Sequence, residues 1–231
     1  DAAALAQAAA VLNEAKRPLV YFGGGVISAG AAPLLRQLVE KAGIPAVHTL
    51  MAAGALRWDD PMNLGMLGMH GRYSANRAVE EADALLCVGA RFSDRVALRP
   101  EGFARRAKVV QIDIDESEIG KNVAADVSVP GDAAAALEAL LPLLRPTDRT
   151  AWMEDLRAWQ AKDYRPREEK THLQPHRILE DISSMAGEDA VYVTDVGQHQ
   201  MWSAQYYHFS RPGQFITSGG FGTMGFGLGA A

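Results

Sequence analysis

Short, uniformly apolar runs alternate with longer segments whose apolar positions recur at helical spacing through the first two thirds of the chain. Residues 1–15 are alanine-rich and helical in period, and 18–22 (PLVYF) form an apolar run closed by Gly23-Gly24-Gly25. Residues 32–42 read as a helix ended by Gly43, and 44–48 as the next strand. The stretch 73–82 is helical, and 84–88 (ALLCV) is continuously apolar, as buried parallel strands are. Residues 108–114 are rich in β-branched side chains, and 127–129 form a last short strand before a helix over 132–144. Strands alternating with helices in this way predict an α/β fold, a doubly wound, Rossmann-like parallel sheet of five or six strands. Right-handed crossovers set the loops after each strand along one edge, where such sheets bind ligands.

At 146–174 the composition shifts to charged and aromatic residues, with Trp152, Trp159, Tyr164 and Pro166 among many Arg, Lys and Glu. A helix-bearing linker is expected there, between a central domain at 1–145 and a second α/β unit at 175–231. That unit reads as helix 176–185, strand 191–194, helix 198–207, strand 214–217 and a glycine run from Gly219 to Ala231. The chain opens in helical sequence without a Met or an N-cap, and the closing glycine run would continue into a helix. Both ends therefore read as cuts in a longer protein.

Composition narrows the classes. With 48% apolar and 22% charged residues the chain can bury a core, and a formal net charge of −5 offers no basic field for a phosphate backbone, so nucleic acid is not an expected partner. The single cysteine, Cys87, lies inside the ALLCV run, which leaves no disulfide framework and no metal-spaced pair and points to a reducing compartment. No stretch reaches the roughly 18 to 20 apolar residues of a membrane span, and the start lacks the order of a signal peptide. A soluble, cytoplasmic protein with no membrane partner is expected.

The segments at strand ends carry the candidate chemistry. Gly23-Gly24-Gly25 either brings backbone N–H groups against a ligand or simply makes a tight turn. Thr49-Leu50-Met51-Ala52-Ala53-Gly54 follows the second strand. In Gly65-Met66-Leu67-Gly68-Met69-His70-Gly71 two methionines sit in a glycine-broken segment, which favours a flat apolar ligand over core filling; His70 taken singly reads as a satisfied structural histidine. Arg91 and Arg95, four apart around Asp94, suit recognition of a carboxylate or phosphate, or else a solvated surface. Asp113 and Asp115 stand where nucleotide folds bind ribose hydroxyls, and Asp132 after Gly131 makes a good N-cap with or without a ligand. In the second unit Gly197-Gln198-His199 opens a helix, and Gly220 to Gly225 matches GxGxxG, a weak signal alone.

Taken in order, GMLGMHG at 65–71, GARFSDRV at 89–96, IDIDESEIGKN at 112–122, GQHQMW at 197–202 and SGGFGTMGFGL at 218–228 resemble the catalytic subunits of the acetolactate (acetohydroxyacid) synthase family. The likeness covers nearly the whole chain, from the central domain into the thiamine-diphosphate domain. It implies a three-domain enzyme that binds FAD, thiamine diphosphate and Mg2+, decarboxylates pyruvate and joins the two-carbon unit to a second 2-ketoacid in branched-chain amino-acid synthesis. By motif, FAD would be held by Gly24, Gly25, Thr49, Leu50, Met69, His70, Gly89, Arg91, Asp94, Val96, Asp113, Ile114, Gly131 and Asp132, as a largely structural group. Arg95 would meet the substrate carboxylate. Gly197, Gln198, His199, Gly222 and Met224 would surround thiamine diphosphate, with Met224 beneath the bent cofactor and the GxGxxG match a coincidence.

The resemblance places the activating glutamate and the metal site outside these residues, so the chain alone is expected to be inactive. It also implies a homodimer or tetramer and raises a possible regulatory subunit. Ser93, Ala52-Ala53-Gly54 and Gly229 depart from the family pattern. Related carboligases of the glyoxylate carboligase or sulfoacetaldehyde acetyltransferase type, and a non-catalytic nucleotide-binding module, share parts of the signal.

Overall fold

A computed structural model describes residues 1–167 and 171–231. Six parallel strands form the main sheet in the order β3-β2-β1-β4-β5-β6: β1 Pro18–Phe22, β2 Ala46–His48, β3 Asn63–Met66, β4 Ala84–Val88, β5 Lys108–Asp113 and β6 Val127–Pro130. The central strands are buried at every position, because helices cover both faces. Side chains alternate accordingly. Val20, Phe22, Leu86, Val88, Val110 and Ile112 enter one core, with α1 (Ala2–Glu14), α3 (Ala32–Ala42) and α5 (Ala133–Leu140). Leu19, Tyr21, Leu85, Cys87 and Val109 enter the other, beneath α4 (Tyr73–Glu81) and α6 (Thr150–Gln160).

The order of the sheet reverses between β1 and β4, since β1 runs on to β2 and β3 at one side and β4 to β5 and β6 at the other. That is the topological switch point, and it lies where Leu19 pairs with Leu85 and Phe22 with Val88. Strand β3 is not predicted by the sequence pattern: Asn63-Leu64-Gly65-Met66 falls partly in the segment read as glycine-broken, and Met66 is a buried strand residue. A short helix, α2 (Gly24–Ser28), also begins within the triple glycine, with Gly23 at its N-cap. At the start of the chain Asp1 does cap α1, accepting the Ala3 N–H at 2.9 Å, where no cap was expected.

Helix α6, inside the stretch expected as linker, is held firmly on the sheet. Trp152 is buried, donates its indole N–H to the Pro18 carbonyl at 3.0 Å and meets Trp159 edge-on. Arg17 lies over the Trp152 ring at 5.3 Å and pairs with Asp155 at 2.8 Å. Just before the helix, buried Arg149 donates to the Ala42 and Leu12 carbonyls at the ends of α3 and α1, satisfying orphan helix-terminal acceptors.

The second unit holds α7 (Pro175–Ala186), β7 (Tyr192–Thr194), α8 (Gln198–Tyr206), β8 (Phe215–Thr217) and α9 (Phe226–Ala230), with β7 and β8 paired in parallel. Its core is aromatic: Tyr207, Phe209 and Phe215 cluster with Tyr192, and the loop after β2 sends Ala53 and Leu50 into the same cluster. Here the Ala52-Ala53-Gly54 departure has a packing reason. Ala53 fills the junction, and a Cβ on Gly54, whose φ is +89°, would lie 2.2 Å from the Arg211 carbonyl oxygen. Nearby, the Trp58 and His208 rings stack at 3.7 Å and the Trp58 backbone N–H donates to the Phe209 carbonyl.

Because Trp152 is buried and hydrogen-bonded, Trp152→Ala should cost about 3 to 5 kcal/mol. Urea unfolding with an unchanged m value is the measurement.

Candidate functional site

Where β1 and β4 end, two loops pack backbone on backbone. Gly23 N–H donates to Val88, Gly25 N–H to Gly89 and Gly89 N–H to Ile112. A Cβ on Gly25 would stand 2.7 Å from Gly89 Cα, and one on Gly89, with φ +54°, 2.7 Å from Gly25 Cα. One on Gly23 would stand 2.4 Å from the Gly89 carbonyl oxygen, so all three glycines are required by the chain itself. Gly24 differs, because its Cβ would meet Met51 at ordinary or nearly ordinary contact, the side chain at 3.3 Å and the carbonyl oxygen at 3.8 Å.

Along this edge runs a groove of about 950 Å3. Gly24, Gly25, Thr49, Leu50, Met69, His70, Gly89, Arg91, Asp94, Val96, Asp113, Ile114 and Asp132 all line it, as does Arg95. Gly131 does not; with φ +146° it turns the chain out of β6, and its N–H donates to the Asp113 carbonyl. Asp132 caps α5 through the Ala135 N–H at 3.0 Å. Asp113 is buried to 9% exposure and takes the Asp115 N–H at 3.0 Å, while Ile114 is 75% exposed beside it. The Thr49 hydroxyl oxygen is buried without a hydrogen-bond partner among the described residues. An orphan hydroxyl, a backbone cradle and exposed Arg91 are the donor set that a flavin dinucleotide with its diphosphate would satisfy. The residues present fit that group.

Two loops close the groove from the side of β2. Asn76 clamps Gly68, accepting its N–H at 3.1 Å and donating to its carbonyl at 3.0 Å, and Met69 N–H donates to the Arg95 carbonyl. Met69 and His70 are exposed, and the His70 carbonyl accepts from Gln205 on α8. Arg95 itself is exposed, and among the described residues its guanidinium meets its neighbour Asp94, at 3.0 Å.

At the end of β2, His48 is buried with Nδ1 2.9 Å from the Thr49 carbonyl oxygen. A carbonyl only accepts, so Nδ1 carries the proton. Burial pushes the His48 pKa down to about 4, against the Thr49 bond, which raises it, and with help from the Arg72 charge.

The second unit supplies the far wall. Val196, Gly197, Gln200, Met201 and the run Ser218 to Gly222 line the same groove; of these only Gly197 and Gly222 were expected from sequence. Gln200 is buried and donates to Thr217 at 2.6 Å, which in turn accepts from Thr194 at 2.9 Å, locking α8 to β7 and β8. Gln198 and His199 are exposed on the first turn of α8 and Met224 is 79% exposed; none of the three lines the groove. The Gly225 N–H, and less strongly those of Val196 and Phe226, hold the Asp195 carboxyl below the usual carboxylate range. A separate cavity of about 970 Å3, between α4, α6, α7 and α8, contains none of the expected site residues.

The family model described as "Thiamine pyrophosphate enzyme, central domain" matches residues 5–140. The chain belongs to the thiamine pyrophosphate enzymes. A second model of this family, the C-terminal thiamine-pyrophosphate-binding domain, matches residues 195–231, the wall formed by the glycine run. Relatives in the family include an acetolactate synthase large subunit of Mycobacterium tuberculosis, 42% identical over 97% of this chain and 38% of its own length. Acetolactate synthase isozyme 1 large subunit of Escherichia coli is 44% identical over 97% of the chain and 40% of its own length. A chloroplastic acetolactate synthase 1 of Oryza sativa is 45% identical over 98% and 36%. The chain thus spans about two fifths of the length of these thiamine pyrophosphate enzymes.

No helix among the described residues is long and apolar enough to cross a membrane, and no group of three His, Cys, Asp or Glu among them is placed to hold a metal ion.

Two outcomes follow for this site. Gly89→Ala should destabilise by about 2 kcal/mol or more, combining left-handed strain with a backbone clash, whereas Gly30→Ala, at φ +63° with open space around it, should cost only about 1 kcal/mol. Thermal or urea unfolding of the pair checks this. For His48 the folded pKa of about 4 lies below the ordinary 6.5, so the stability contributed by the neutral ring is present above pH 6.5 and lost as pH falls toward 4. The loss should reach roughly 3 kcal/mol. Unfolding free energies measured from pH 7 to 4 should show this slope, flattened in His48→Leu.

Proposed function

We propose that the complete protein is the catalytic subunit of a thiamine-diphosphate-dependent acetolactate synthase. It decarboxylates pyruvate and condenses the two-carbon unit with a second 2-ketoacid in branched-chain amino-acid biosynthesis. The observation that carries this reading is one groove with two walls. The strand-end edge of the central unit faces the glycine run of the thiamine-pyrophosphate-binding region, so a flavin and a thiamine cofactor can lie side by side. Residues 1–145 serve as the FAD-binding domain, 146–174 connect, and 175–231 begin the thiamine-diphosphate domain.

Gly24, Thr49, His70, Arg91 and Asp113 would hold FAD non-covalently, with the Thr49 hydroxyl and the Arg91 guanidinium as polar anchors. Thiamine diphosphate, when bound, supplies the nucleophilic carbon that takes up the acyl unit. Gly197 and Gly222, which line the groove, with Gln198, His199 and Met224 beside it, would hold that cofactor, and no group of three His, Cys, Asp or Glu among the described residues is placed to hold Mg2+. Arg95 offers a fixed, always-charged fork at the mouth of the groove, suited to the carboxylate of the incoming ketoacid. Its present partner, Asp94, is an exposed neighbour in a weak surface pair, so exchange for a substrate carboxylate costs little. The catalytic subunit works as a homodimer or tetramer in the cytoplasm, with a regulatory subunit as further partner.

The full-length protein, purified as expressed, should carry flavin absorbance and gain thermal stability with added FAD. It should form acetolactate from pyruvate in the presence of thiamine diphosphate and Mg2+; turnover of glyoxylate or sulfoacetaldehyde instead would assign it to a related carboligase. Arg95→Ala should keep fold and flavin while kcat/KM for pyruvate falls roughly 10- to 150-fold, the value of one charge-assisted hydrogen bond. Lys at this position should rescue only in part, since a point charge lacks the two parallel bonds of a guanidinium. Steady-state kinetics beside flavin content read the result: unchanged efficiency removes Arg95 from the substrate site, and collapse with flavin loss makes it structural.

A further inference from the structure

Asp195 follows β7 directly, and its carboxylate reaches across to the far end of the glycine run. It accepts the Gly225 N–H at 2.7 and 2.8 Å, the Phe226 N–H at 3.2 Å and the Val196 N–H at 3.0 Å. A second contact holds the same two segments together. A Cβ on Gly227 would stand 2.8 Å from the Asp195 nitrogen and 3.1 Å from the Thr194 carbonyl carbon, so α9 rests on the end of β7 only because residue 227 has no side chain. At its other end the run is tied by Ser218, whose carbonyl takes the Gly222 N–H and whose hydroxyl takes the Thr223 N–H, both at 3.1 Å.

Between these two ties stand Gly222, at φ +63°, and Met224, the residue next to the clasped Gly225. Asp195 also directly precedes Val196 and Gly197, which line the same wall of the groove as the glycine run. One carboxylate therefore fixes both segments against each other. A carboxylate is chemically suited to this, since it has about four lone-pair sites for the three N–H groups, whereas an amide would turn its own hydrogens against one of them.

We propose that Asp195 is a positioning residue for thiamine diphosphate. By clasping Gly225 and Phe226 it sets Met224 and Gly222 at the distance from Val196 and Gly197 that the cofactor requires, without touching the cofactor. The inference rests on the reading of this region as the cofactor's site.

The test uses the full-length protein and thiamine diphosphate itself, titrated calorimetrically in the presence of Mg2+. Asp195→Asn, nearly isosteric, should raise the Kd for thiamine diphosphate on the order of 10- to 100-fold, the usual loss when a supporting contact is removed from behind a binding group. Most of the kcat should return at saturating cofactor, with FAD content and thermal midpoint without thiamine diphosphate unchanged. Gly227→Ala, which pushes α9 off β7 without altering the carboxylate, should weaken the same cofactor. Met224→Ala combined with Asp195→Asn should lose less than the sum of the two single losses, because both act through one loop.

Wild-type affinity in Asp195→Asn, additive losses in the double variant, or a parallel fall in FAD content and thermal midpoint would each overturn the assignment. If the wild-type protein binds no thiamine diphosphate, the functional reading itself fails together with this inference. Binding by the wild type with equal binding by the variant removes the inference alone.

Discussion

The contact on which the groove depends is that of bare backbone against bare backbone where β1 and β4 leave the sheet. These two strands are paired through their whole length, from Pro18 and Ala84 to Phe22 and Val88, so the loops that follow start level and side by side. Gly25 and Gly89 then approach to a distance at which neither tolerates a Cβ. The strand order reverses at that point, and chain running outward on both sides leaves a crevice that no helix fills. Thr49, Arg91 and Asp113 reach the same groove because each lies at or just beyond the end of a strand in this one register. A wider separation at the two glycines would spread the edge and pull the polar groups apart.

Burial on both faces explains what could be read from sequence. β1 and β4 lie between covering helices at every position, and uniformly apolar runs such as PLVYF and ALLCV have few other uses. Strand β3 is different in kind. It pairs with β2, at the edge, with a register shift, and its Asn and Gly are poor strand formers held by side-chain contacts: Asn63 donates to the Arg57 carbonyl and accepts the Gly65 N–H within the strand, and Gly65 at φ +90° lies under the Arg72 side chain. Nothing local in Asn-Leu-Gly-Met announces a strand. Helix α2 was hidden for a related reason, since two glycines begin it and tertiary contact with the Gly89 loop stabilises it.

The site was legible as far as position along a strand can specify it. Strand-end loops must share an edge, and the motif-bearing residues of the central unit gather there except for Gly131. The opposite wall depends on how two units dock, which no periodicity encodes. Gln200 reads in sequence as one polar residue on a short helix, yet it is buried and bonded into the Thr194–Thr217 chain. Ala53 looked like a departure from pattern and is the methyl group that seats the β2 loop in the aromatic cluster. Such residues are set by partners far away in the chain, and only the assembled structure shows why a polar or small side chain stands there.

The stacked rings of Trp58 and His208 have an optical consequence. Indole emission responds to whatever lies against the ring face, and here the 3.7 Å neighbour belongs to the other unit. Trp152 and Trp159, by contrast, meet each other within α6. Any rocking of the units slides the imidazole off Trp58 while leaving the α6 pair undisturbed. The unlabelled protein thus carries its own reporter of any motion between the units, readable in ordinary ultraviolet fluorescence once the emission of Trp152, Trp159 and Trp202 is subtracted.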